Sequence, residues 1–218
     1  MGTRQTEPDL KGKDMTKYAV IDVETTGLFN FSKPADAEGQ PRMASVAIIK
    51  LDENLDEVET QLFHVKPDGW TMPPEATKIN GLTTEFLEAH GEPVSNALDA
   101  YVDAIEDGYV IAAYGVDYDL KIFRGELRRA GMPDLYEGTM KWCLMRTCTD
   151  ICQIPRASGN GWKFPKLIEA CQHFGIEQAE HHTALADAEA AVAILINLDK
   201  LGFHPEFCCE RVPKPTVV

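Results

Sequence analysis

Asp22 and Glu24 stand two residues apart at the end of the apolar, β-branched run Tyr18-Ala19-Val20-Ile21-Asp22-Val23. Side chains two apart on a strand point to the same face. A D-x-E at a strand end therefore sets two carboxylates side by side. Such a pair repels unless a cation intervenes, and hard divalent ions accept oxygen ligands of this kind. Taken alone, D-x-E also fits a strand-end turn with two solvated acids. Gly27 closes Asp22-Val23-Glu24-Thr25-Thr26-Gly27 and lets a backbone come close.

Two further groups lie downstream. Tyr114-Gly115-Val116-Asp117-Tyr118-Asp119 sits where the strand Tyr109–Ala113 hands over to a helix. Ligands of α/β sheets bind at such strand carboxyl ends. Asp117 fits an N-cap, a structural role, which leaves Asp119 in the first turn to face a site. The two compete, and their own surroundings do not choose between them. The third group is His181-His182-Thr183-Ala184-Leu185-Ala186-Asp187. Asp187 is an acid in an Ala/Leu-rich helix start, a place the helix dipole favours modestly. His182 lies five residues earlier, off that helical face, on the loop ahead of it.

The elements that must carry these residues follow from hydrophobic spacing. Strands are expected at 18–23, 44–51, 59–65 and 109–113, with a hairpin at Asp52-Glu53-Asn54. Helices are expected from Pro73-Pro74, over Val94–Ile105, Asp117–Ala130, Phe164–Phe174 and Thr183–Leu201. Strands followed by alternating strands and helices make an α/β protein, a mixed sheet flanked by helices. One domain over 17–202 suffices for 218 residues. The polar segment 1–16 is expected to be disordered, and 203–218, with Pro205, Pro213 and Pro215, a loose tail.

Composition narrows the functional classes. A hydrophobic fraction of 44% and a charged fraction of 26% exclude wholesale disorder. No apolar run reaches the ~20 residues of a membrane span, and the N-terminus lacks a secretory signal, so a cytoplasmic protein is expected. With 21 Lys+Arg against 35 Asp+Glu, the net charge is −14. That balance argues against a DNA clamp with a broad basic face. It leaves room for an enzyme that grips nucleic acid at one metal-charged spot. Cys143, Cys148, Cys152, Cys171, Cys208 and Cys209 form no C-x-x-C pair and are expected to be reduced thiols.

In combination, the three groups resemble the DnaQ-like, DEDDh family of 3'–5' exonucleases. D-x-E-T-T-G is complete at Asp22 to Gly27, and H-x-A-x-x-D at His182 to Asp187. The family's second motif, H-N-x-x-F-D-x-x-F-L, reads Y-G-V-D-Y-D-L-K-I-F here, which favours Asp119 over Asp117 and replaces His-Asn by Tyr114-Gly115. Ile79-Asn80-Gly81-Leu82-Thr83 and Trp162-Lys163-Phe164-Pro165-Lys166-Leu167 are similar to further family segments, and the resemblance spans roughly residues 18–200.

The resemblance implies an RNase H-like sheet and two Mg²⁺ or Mn²⁺ ions held by Asp22, Glu24, Asp119 and Asp187. Such an ion pair stabilises the attacking and leaving oxygens at phosphorus. His182 is implied as the general base, and Thr25, Thr26, Gly27 and Leu28 as contacts of the terminal nucleotide. The implied substrate is nucleic acid with a free 3' end, with a polymerase or replication partner. Single-stranded DNA is the expected form; an exoribonuclease or a silent end-binding module are the alternatives. Lys121, Arg124, Arg128, Lys163 and Lys166 offer a basic grip, and Trp70 and Trp162 offer stacking surfaces.

Overall fold

The computed structural model describes residues 16–177 and 183–205. Strands β1 (Tyr18–Thr25), β2 (Met43–Leu51) and β3 (Glu57–His64) form an antiparallel meander. On the other side of β1, β4 (Val110–Ala113) and then β5 (Lys141–Cys143) add in parallel, giving the order β3-β2-β1-β4-β5. The result is the expected mixed sheet in one domain.

Every residue of β2 is buried, which requires cover on both faces. Helices α3 (Val94–Glu106) and α4 (Val116–Arg129) pack together, with the Tyr101 and Phe123 rings stacked 4.0 Å apart. Helix α5 (Leu144–Cys152) groups with α6 (Leu167–Phe174) and with α7 (Ala184–Lys200), which lies against β1 and β2. Short helices α1 (Pro74–Asn80) and α2 (Thr84–His90) bury Met72, Ala76, Leu82 and Leu87 around Ala44 as a satellite core. Among the described residues no helix is long and apolar enough to cross a membrane. Cys143, Cys148, Cys152 and Cys171 are free thiols.

Three expectations need correction. Asp117 is not the cap of α4: Gly115 is, and the helix starts at Val116. Helix α6 starts at Leu167, three residues after the expected Phe164. Proline disfavours helical backbone in the residue before it, and Pro165 follows Phe164 directly. Glu169 then reaches back to the Lys166 amide, at 2.7 Å, to close the first turn. Strand β5 and helices α2 and α5 are additions to the expected elements. Lys141-Trp142-Cys143 is too short to show a period, though Trp142 is fully buried. The segments 1–15, 178–182 and 206–218, with His181, His182, Cys208 and Cys209, lie outside the described residues.

One buried acid ties the second strand to the fourth helix. Glu126 on α4 is 1% exposed and accepts hydrogen bonds from Arg42 Nε at 2.8 Å and the Met43 amide at 3.1 Å. Arg129 Nη1 stands 3.2 Å away. Removing the carboxylate strands two guanidinium groups. Glu126→Ala is expected to cost about 3 kcal/mol, the low end for a broken buried pair, since both arginines keep some solvent. A denaturant melt checks it; a loss below ~1 kcal/mol would show the pair to be dispensable.

Candidate metal centre at the strand ends

The carboxyl end of β1 brings Asp22 and Glu24 to one face, and the first turn of α7 delivers Asp187 to the same place. One carboxylate oxygen from each of Asp22, Glu24 and Asp187 lies within 4.8 Å of the others. Helix α7 is set there by its cap: Thr183 accepts the Ala186 amide at 3.2 Å, and the Asp187 amide donates to the Thr183 carbonyl.

Asp119 approaches from α4. It is buried, and its Oδ1 accepts the Val23 amide, at 3.2 Å, from between Asp22 and Glu24 on β1. That bond fixes the first turn of α4 to the site strand. Asp117 points elsewhere, pairing with Arg146 at 2.6 Å and Lys141 at 3.3 Å. Of the two rivals, Asp119 is the one beside Asp22, though it stands behind the group of three that Asp22, Glu24 and Asp187 make.

Electrostatics at the cluster are unfavourable without a cation. Burial, then Asp119, Asp187 and Glu24, push the Asp22 carboxyl well above the ordinary range. Burial pushes Asp119 up to about 7, with smaller contributions from Glu24 and Asp117, while the amides of Asp119 and Val23 pull the other way. Groups that resist ionising beside one another, and that offer only carboxylate oxygen, suit a hard divalent ion. The residues present thus fit the metals expected from the sequence.

The Thr25–Leu28 turn is pinned on three sides. Tyr118 Oη donates to the Gly27 carbonyl at 2.8 Å and lies 2.7 Å from Thr25 Oγ1, which itself stands 2.8 Å from that carbonyl. Thr26 exchanges bonds with Arg42: its amide donates to the Arg42 carbonyl at 3.0 Å, and its Oγ1 accepts the Arg42 amide at 2.8 Å. Buried Asn80, on α1, donates to the Thr25 carbonyl at 3.4 Å. Leu28 is left 92% exposed beyond the turn. A Cβ at Gly27 would meet nothing within 4 Å among the described residues, so none of their contacts demands glycine there.

Tyr118 and Asn80 were visible in the sequence as motif letters, but their bonds to the turn were not. Tyr114, standing where the family motif has histidine, donates to the carbonyls of Pro165 and Lys166 at 3.0 and 3.1 Å. It anchors the loop before α6. The expected basic grip is largely spent inside the protein. Arg124 and Arg128 both hold Asp134, Arg128 also reaches Asp36, and Lys163 holds Glu169. Trp70 packs, half-buried, against the core, whereas Trp162 is 37% exposed.

Residues 19–195 match the RNase_T exonuclease family. Over 204 residues the chain is 26% identical to the 3'-5' exonuclease DinG of Bacillus subtilis, covering 92% of this chain and 19% of DinG. It is 26% identical over 190 residues to the PolC-type DNA polymerase III of Streptococcus suis, covering 87% of this chain and 11% of that protein. The chain thus spans less than a fifth of either relative. Escherichia coli exonuclease I, solved with a dT13 oligonucleotide, superposes with a TM-score of 0.66 at 24% identity, over 84% of this chain and 41% of that one. That likeness is one of fold.

Two predictions follow from the acids. A carboxyl whose folded pKa is raised favours the folded state at low pH and costs stability once it must ionise. For Asp119 that window runs from its ordinary 3.8 to about 7. In EDTA, thermal stability should therefore fall as pH rises through this window, and Asp22→Asn should raise Tm at pH 8 by at least about 3 °C. A flat profile, or a destabilised Asp22→Asn, would contradict the crowding. Second, Asp119→Asn should remove most catalysis, whereas Asp117→Asn should affect chiefly stability, by about 1 kcal/mol from its two partly exposed ion pairs. Rates and melts of both variants decide it.

Proposed function

Because the chain belongs to the RNase_T exonuclease family, we propose that it removes 5'-mononucleotides stepwise from free 3' ends, with single-stranded DNA as substrate. The observation that carries this reading is the convergence of Asp22, Glu24 and Asp187 at the end of β1, with Asp119 bonded behind them through Val23. These four carboxylates would hold two Mg²⁺ or Mn²⁺ ions. Bound there, the ions supply positive charge to the oxygens of an in-line displacement at phosphorus.

The chain's own residues do the rest. Asp119 keeps the first turn of α4 against β1, and Thr183 sets the start of α7, so that Asp187 meets Asp22 and Glu24 with Asp119 behind them. His182, adjacent in sequence to that cap, takes a proton from the attacking water as a neutral imidazole. Thr25, Thr26, Gly27 and Leu28 receive the terminal nucleotide, with the exposed Leu28 side chain available against its base. The pinned turn fits a terminal residue better than a continuous strand.

DNA as substrate is supported by the PolC-type relative, a DNA polymerase. The polymerase relative also supports a replication partner. The unit that works is residues 17–202.

The test uses matched DNA and RNA oligonucleotides labelled at the 5' end, with Mg²⁺. Stepwise shortening of the DNA, abolished by EDTA and blocked by a 3'-phosphate, is expected; the added anion would meet the carboxylates. Asp22→Ala should lower turnover by orders of magnitude with the fold intact, and His182→Ala by about 10²–10⁴-fold. His181→Ala should be mild. Faster RNA digestion would transfer the assignment to an exoribonuclease, and prompt cuts in a closed circle would overturn it.

A further inference from the structure

We propose that Lys121 and Phe31 form a second contact for the substrate strand, outside the terminal-nucleotide turn, with Lys121 meeting a phosphate and Phe31 stacking on a base. The inference rests on the exonuclease reading above and names how that site grips more than its last nucleotide.

Lys121 is three residues after Tyr118 on α4, so the two share a helical face. Tyr118 touches the Gly27 carbonyl, and Lys121 meets the chain that leaves that turn. Its Nζ stands 5.9 Å from the Phe31 ring centre, 6.0 Å from Phe29 and 5.0 Å from Tyr136. The patch is thus continuous with the turn that would hold the terminal nucleotide.

Its chemistry differs from that of the neighbouring cations. Arg124, Arg128, Lys141 and Arg146 each hold a carboxylate. Lys121 makes no ion pair with a described residue and sits half-buried among rings. Aromatic faces attract the ammonium but leave its three donors without an acceptor. An anion is the complementary partner, on a protein whose net charge of −14 otherwise repels one.

Phe31 supplies the second half. Its ring packs edge-on against buried Phe29, 5.2 Å between centres, and remains 61% exposed. Phe29 packs against it while most of the residue stays open to water. A ring beside an unsatisfied cation is the arrangement by which proteins hold single strands without reading sequence.

The experiment pairs binding with kinetics. Lys121→Gln, Lys121→Arg and Phe31→Ala are compared with wild type, each first shown to melt normally. Binding of a 5'-fluorescent dT oligonucleotide is followed by anisotropy in EDTA over a range of salt. Phe31→Ala should weaken binding roughly five- to tenfold. Lys121→Gln should weaken it and reduce the slope of log K against log[salt] by about 0.7, one single-strand phosphate contact. Lys121→Arg should restore the slope. In the Mg²⁺ assay, the fall in KM from a dinucleotide to a longer oligonucleotide should shrink in Phe31→Ala and Lys121→Gln. Wild-type affinity and slope in both variants would overturn the proposal while leaving the exonuclease reading intact. If wild type digests no oligonucleotide, the exonuclease reading fails, and the salt slopes still decide whether this patch binds a strand.

Discussion

Carboxylates crowded at the end of one buried strand are the constraint around which this molecule is arranged. Asp22 and Glu24 share a face because a strand alternates its side chains. Asp187 and Asp119 are then brought against them from two helices far apart in sequence. Burial first, and then each neighbouring acid, raises the cost of ionising Asp22, which is held well above the usual range. A protein selected only for stability would scatter these charges. Keeping them together makes sense when a divalent cation completes the site, and the family to which the chain belongs works on phosphodiesters.

The surrounding structure keeps that strained cluster from relaxing. The Val23 amide bonded to Asp119 fixes helix α4 to the site strand. Beyond the strand, the turn is tied down by Tyr118 from α4, by Asn80 from α1, and by Arg42 at the start of β2. Arg42 is itself held by buried Glu126, again on α4. One helix therefore supplies an acid at its start, a hydroxyl beside it, and a buried carboxylate two turns on that secures the far side of the turn. Placement of the acids and of the Thr25–Leu28 turn are mechanically linked through α4.

Local rules determine part of this arrangement, and that part is legible in the sequence. The shared face of Asp22 and Glu24 follows from strand period, the place of Asp187 from an Ala/Leu-rich helix start, and four of the five strands from hydrophobic spacing. The choice of Asp119 over Asp117 needed the family motif, because a first-turn acid and a capping acid look alike in one dimension. The structure supplies the reason: Asp117 is claimed by Lys141 and Arg146, one from β5 and one from α5, elements too short or too mixed to be read from spacing. The same limit explains the arginines. On a helical wheel Arg124 and Arg128 form a basic stripe, and only the folded chain reveals that Asp134 neutralises both. Long-range partners set the available charge, and they leave no periodic trace.

The central claim is that the four acids are a metal centre, and a crystal soaked with Mn²⁺ tests it most directly through anomalous scattering. The account predicts density bounded by Asp22, Glu24, Asp119 and Asp187, with Asp22 touching it, and its loss in Asp22→Asn. A soaked crystal with ordered carboxylates and no anomalous peak among them, or with its peaks at other residues, would contradict it.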